Sequence, residues 1–99
     1  MSPMNVIYKY FLPIQDGVIT VNLPKNSHIC EINNQGDNIC FWVAQQDKSE
    51  VEERHFRIYG TGQKIEHMEK LRFYKTLHMP NGLVWHIFEI PLSVSEQQQ

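Results

Sequence analysis

The chain has 99 residues, of which 41% are hydrophobic and 20% charged, and its net charge is -2. This is the length of one domain and the composition of a globular one. It excludes a general nucleic-acid binder, which needs a global basic field, and a helical membrane span, because no apolar run approaches the roughly 20 residues required.

A domain of this size buries about two-thirds of the surface its unfolded chain exposes. That leaves room for one core and one shallow site, and a deeper pocket needs several copies of the chain, so a homo-oligomer is expected. The N-terminus lacks the basic, apolar and small-residue order of a signal peptide. A cytoplasmic location is expected.

Val6 to Leu12 reads as a first strand, rich in β-formers and stopped by Pro13. Asp16-Gly17 is a tight-turn signal. Val18 to Leu23 is a second strand, ended by Pro24, and His28 to Asn33 a third. Asn33 through Asn38 has turn chemistry throughout, since Asn and Asp tolerate positive φ and Gly36 prefers it. Ile39 to Gln45 is a fourth strand. Ile39, Phe41 and Val43 share one face and Cys40, Trp42 and Ala44 the other, the pattern of a central strand covered on both sides. Asp47 to Glu53 reads as an exposed, charged loop.

Arg54 to Tyr59 alternates cleanly. Phe56 and Ile58 face one way, while His55, Arg57 and Tyr59 face the other. Gly60-Thr61-Gly62 breaks this strand. Ile65, Met68 and Leu71 fall at helical spacing, so one short helix is expected at Ile65 to Lys70. Arg72 to His78 is another strand. Met79-Pro80-Asn81-Gly82 turns the chain and Leu83 to Ile90 returns, with a two-residue turn at Asn81-Gly82 setting His78 opposite Trp85. This hairpin is expected to join the longest strands.

The fold class is therefore mainly β, with about seven short antiparallel strands in a small sandwich or partly open barrel. One domain is expected over 1–92, followed by a flexible polar tail at 93–99.

Cys30 and Cys40 flank the turn-like stretch at equal distances and are expected to face each other across a hairpin. The spacing allows a cross-strand disulfide. A reducing cytosol favours two free, packed thiols. Neither the cysteines nor the five histidines show zinc-ligand spacing, and no metal or other cofactor is expected. No serine sits in a nucleophile elbow, and no enzyme activity is expected.

The candidate chemistry centres on Arg57-Ile58-Tyr59-Gly60-Thr61-Gly62. Two glycines around a threonine let backbone N–H groups converge as an anion nest. Arg57 suits two-pronged bonding to a phosphate, and Lys64 adds charge. The competing reading is a strand-ending turn on a solvated face. Trp42 and Trp85 can each stack on a base or pack in the core. His86 is a candidate hydrogen-bond donor. The acidic run Glu50, Glu52 and Glu53 reads as a solvated loop or as a mimic of a phosphate backbone.

Four segments occur in one order: Ile7-Tyr8-Lys9-Tyr10, then Cys40-Phe41-Trp42, then Phe56-Arg57-Ile58-Tyr59-Gly60-Thr61-Gly62, then Leu83-Val84-Trp85-His86-Ile87-Phe88-Glu89. Together they resemble a family of small, uncharacterised proteins encoded by phages and prophages, over Ile7 to Glu89. Where that pattern continues after Gly62 with His-Pro, this chain has Gln63-Lys64, and Gln63 can still donate a hydrogen bond. The resemblance implies a phage accessory protein acting in the host cytosol against host defence. It would bind and sequester a small anionic, nucleotide-like signal without turning it over. In that reading Arg57 pairs the phosphate, Gly60 to Gly62 offer N–H groups, Trp85 or Tyr59 stacks on a base, and His86 donates a hydrogen bond. The alternative is a protein-binding inhibitor of a defence effector, of the anti-CRISPR type, using the acidic loop and a sheet edge. A virion or DNA-packaging accessory is a third reading.

Overall fold

The computed structural model describes residues 3–47 and 50–92. The polar tail expected at 93–99 lies outside the described residues. Seven strands form: β1 Val6–Leu12, β2 Ile19–Pro24, β3 His28–Gln35, β4 Asn38–Gln45, β5 Val51–Gly60, β6 Arg72–His78 and β7 Val84–Ile90. They make two antiparallel sheets, one ordered β1-β4-β3 and the other β2-β5-β7-β6. The expectation of a small β-sandwich is borne out, and no barrel closes.

The sheets pack through alternate residues. Leu12, Ile39, Phe41 and Ile32 of the first sheet meet Ile19, Phe56, Ile58 and Ile87 of the second in one buried cluster. The Phe41 and Phe56 rings cross the interface with centroids 5.1 Å apart, a tilted arrangement favoured by their quadrupoles. Trp85 and Tyr74 pack against the edge of this cluster. Arg54, Tyr74 and Glu89 form a polar knot at one end of the sandwich. Arg54 donates to both Glu89 carboxylate oxygens, at 2.6 and 2.7 Å, and the Tyr74 hydroxyl donates to Glu89 at 2.8 Å.

Several expectations change in detail. The turn between β3 and β4 is two residues, Gly36-Asp37, with Gln35 opposite Asn38 and Gly36 at φ +59°. A positive φ at the first central position is the hairpin-compatible II′ geometry. This places Asn33 opposite Cys40, so the two cysteines do not face each other. Cys30 falls where the register slips between Ile29 and Glu31. Both thiols are free, Cys30 exposed and Cys40 buried.

The acidic loop is shorter than expected, because Val51, Glu52 and Glu53 belong to β5 and pair with Pro24, Leu23 and Asn22. At ten residues β5 is the longest strand, not a member of the β6–β7 hairpin. That hairpin turns on three residues rather than two. Met79 N–H donates to the Leu83 carbonyl at 2.8 Å and Gly82 N–H to the Met79 carbonyl at 3.0 Å. Gly82 has φ +88°, the signature of a tight turn closed by a glycine bulge. The extra residue shifts the register, so His78 faces Val84 and Trp85 faces Leu77.

The helix expected at Ile65 to Lys70 contracts to a 3-10 turn at Met68–Lys70. His67 sits in the left-handed region (φ 54°, ψ 40°) and Leu71 is extended, so the helix can neither begin earlier nor continue.

Candidate functional site

β7 lies between β5 and β6 and is antiparallel to both. Strands β5 and β6 therefore run parallel, and the chain must cross from the end of one to the start of the other. Residues 61–71 make this crossing as a strap over the outer face of the four-stranded sheet. The strap helps bury outer-face residues that would otherwise meet water, among them Tyr59, Phe88 and Ile90.

Gly60-Thr61-Gly62 opens the strap. Gln63 N–H donates to the Gly60 carbonyl at 3.1 Å and Gly62 has φ +88°. A positive φ at the third position makes this a type II turn, which needs glycine there. The Gly60 N–H is occupied by the Gln63 side-chain oxygen at 3.0 Å. The Thr61 and Gly62 N–H groups have no acceptor among the described residues. His86 is held on both sides: Thr61 Oγ1 lies 2.8 Å from Nε2 and Thr76 Oγ1 lies 2.9 Å from Nδ1. Those contacts orient the imidazole and leave neither nitrogen free.

Two openings flank the strap. A cavity of about 340 Å³ is lined by Gly60, Thr61, Gly62 and Gln63 with Ile65, Met68, Phe73, His86 and Phe88. Its walls are mainly apolar, and Phe73 stands 5.4 Å from Phe88 with its ring half exposed. Beside it runs a polar cleft lined by Arg57, Tyr59, Gln63, Lys64 and Glu66. Gln63 borders both. On the far side of Arg57 a smaller recess adds His67 and Lys70.

Arg57 is the unusual group. Its Nε is buried without a hydrogen-bond partner, and among the described residues the guanidinium makes no ion pair. Its guanidinium carbon lies 5.1 Å from the centroid of the Tyr59 ring, a cation–π contact. Tyr59 in turn meets Phe88 edge-on at 5.6 Å. A row of contacts thus runs from the Arg57 cation through Tyr59 and Phe88 to Phe73.

Of the nine residues singled out from sequence, eight lie in or beside these openings: Arg57, Tyr59, Gly60, Thr61, Gly62, Gln63, Lys64 and His86. Trp85 does not. Alternation along β7 turns it to the inner face, where it packs on the core and its ring lies under Gly60. Sequence reasoning missed Ile65, Met68, Phe73 and Glu66. The first two stand at helical spacing in the sequence, and apolar spacing of that kind serves a strap equally well.

A family model matches residues 4–98, nearly the whole chain. The chain belongs to this family, described as a domain of unknown function, DUF7352. No curated protein and no solved structure matches the chain. The DUF7352 match therefore spans the strap and both openings, and attaches no activity to them. Among the described residues no group of His, Cys, Asp and Glu side chains is arranged to hold a metal ion, and no helix is long and apolar enough to cross a membrane.

Proposed function

We propose that this protein binds a small phosphate-bearing ligand, of the nucleotide class, across the strap, and sequesters it without turnover. The observation that carries the proposal is Arg57, a cation with a buried, unpartnered Nε on the wall of an open cleft. That Nε is closed to solvent, so a phosphate is met by the rest of the guanidinium, which has no ion-pair partner among the described residues and borders the cleft. Lys64 and Lys70 add positive charge, against one carboxylate, Glu66.

The neighbouring apolar cavity gives the ligand's other half a place. Phe73 and Met68 offer a flat, exposed surface beside unspent N–H donors at Thr61 and Gly62, which suits a heterocyclic base. Base-on-aromatic stacking contributes about 1–3 kcal/mol. Among the described residues that line the cleft, Arg57, Tyr59, Gln63, Lys64 and Glu66, none is an activated nucleophile, and capture rather than reaction is the proposed outcome. A phage-type counter-defence role, removing a nucleotide signal from the host, is the biological setting of the proposal.

Thermal-shift measurements with pyrophosphate, mononucleotides, cyclic dinucleotides and cyclic ADP-ribose isomers test it. At least one nucleotide should raise the melting temperature of the wild type and fail to do so for Arg57→Ala, and chromatography should recover the ligand unchanged. Phe73→Ala should weaken nucleotides while leaving pyrophosphate unaffected. Absence of any shift across the panel overturns the proposal.

A further inference from the structure

The face of the three-stranded sheet turned away from the core carries Ile7 and Phe11 from β1 and Trp42 and Ala44 from β4. No described element packs on it, and Ile7 and Phe11 are 59% and 58% exposed. Strand β4 is central in its sheet and apolar on both faces, a pattern that belongs to a strand covered on both sides. Among the described residues its inner face is covered by the second sheet, while on its outward face Cys40 is buried and Trp42 and Ala44 stay partly exposed.

The charges on this face are ordered. Lys9 stands opposite Trp42, and Trp42 stands opposite Glu31. One cross-strand row thus reads cation, indole, anion. Lys9 has a neutral hydrogen-bond partner, Gln35, at 2.8 Å. Glu31 is shared with Lys75 on the neighbouring edge at 2.7 Å, and its carboxylate remains half exposed.

We propose that a second copy of this chain covers the face, in a two-fold dimer whose axis runs along β4 above Trp42. Such an axis lays β1 of each copy over β3 of the other and preserves the level along the strands. Lys9 then lies over the partner's Glu31, and the reciprocal pair forms by symmetry. The other in-plane axis, perpendicular to the strands, sets Lys9 on Lys9 and Glu31 on Glu31. Like-charge contacts of that kind are what select against wrong dockings. In the first arrangement the two indoles meet at the centre, where large aromatic residues contribute most to binding.

Three strands at ~4.8 Å spacing and about eight residues long give a footprint of roughly 15 by 25 Å. That is small beside the ~800 Å² per partner of a standard interface, so association should depend on concentration in the micromolar range.

Sedimentation velocity across that range is the test. The wild type should pass from monomer to dimer, and Trp42→Glu should stay monomeric. Lys9→Glu and Glu31→Lys should each weaken the dimer by roughly tenfold or more, and the Lys9→Glu/Glu31→Lys double variant should recover it. Circular dichroism confirms folding of each, and Lys9→Glu alters only an exposed side chain. A wild type that stays monomeric, or a Trp42→Glu variant that still dimerises, overturns the interface. A double variant no tighter than the single ones overturns the axis. None of these outcomes depends on the ligand site, because the two sheets present opposite outer faces.

Discussion

Gly62 has φ +88° at the third position of its turn, whereas Gly60 ends strand β5 with no such demand. A Cβ at Gly60 would rest 3.6 Å from the Trp85 ring, an ordinary contact. A Cβ at Gly62 would meet nothing, yet the backbone there is strained for any L side chain. Gly62→Ala should therefore cost about 1 kcal/mol, and Gly60→Ala less than about 0.5 kcal/mol. Urea denaturation of the two variants checks this, and equal losses would contradict it. The Gly-Thr-Gly motif is accordingly one obligatory glycine and one permissive one. Its role as a turn is established by geometry, and the spare N–H groups at Thr61 and Gly62 are what it adds to the ligand proposal.

At the scale of elements, β5, β6 and β7 are tied by the Arg54–Tyr74–Glu89 knot, whose two charged side chains are only 13% and 9% exposed. Burial first, and then the hydrogen bond to Glu89, push the Tyr74 hydroxyl up from 10.0 to about 12. The folded state thus holds this proton more tightly than the unfolded chain does. The stabilisation is complete below pH 10 and is lost as the pH rises through about 12. Alkaline unfolding followed beside phenolate absorbance should show one tyrosine ionising late, in step with that loss. Arg54→Ala should be far more severe, about 3–5 kcal/mol, because it strands a buried carboxylate. Replacing Arg54 and Glu89 together by Met and Leu should recover most of it.

The same elements show what the sequence makes legible. Pro13, Pro24 and Pro91 and the Gly-containing turns punctuate the strands, so β1 and β6 have the bounds expected from composition alone. Pairing was not legible, since β1 joins β4 within one sheet and β2 joins β5 within the other through contacts that leave no local mark. The bulges at Cys30 and Tyr74 were equally silent. They lie on β3 and β6, edge strands that approach each other, where Glu31 and Lys75 form an ion pair instead of a backbone ladder. Irregular edges of this kind resist further strand addition. For the site, the β5 alternation correctly grouped Arg57 with Tyr59. The same two-residue period separates Trp85 from His86, and applying it to β7 would have removed Trp85 from the candidate cluster. The strap was misread because three apolar residues at helical spacing do not distinguish a helix from a segment folded over a sheet.

At the scale of the whole molecule, the two faces of β4 have different fates. Phe41 is fully buried against Phe56 and joins the sheets. Its neighbour Trp42 points outward, apart from the core cluster. Phe41→Ala should cost about 3–5 kcal/mol, a large share of the 5–15 kcal/mol typical of a domain. Trp42→Ala should cost less than about 1 kcal/mol in dilute solution, where the face meets water in either case. If a second copy covers that face, raising the protein concentration stabilises the wild type by mass action and leaves Trp42→Ala unchanged. Urea melts at two widely separated concentrations read this difference directly. A gap between wild type and Trp42→Ala that widens with concentration places the indole in an interface between copies. A constant gap assigns it to the monomer, and the double apolarity of β4 would then have no packing partner among the described residues.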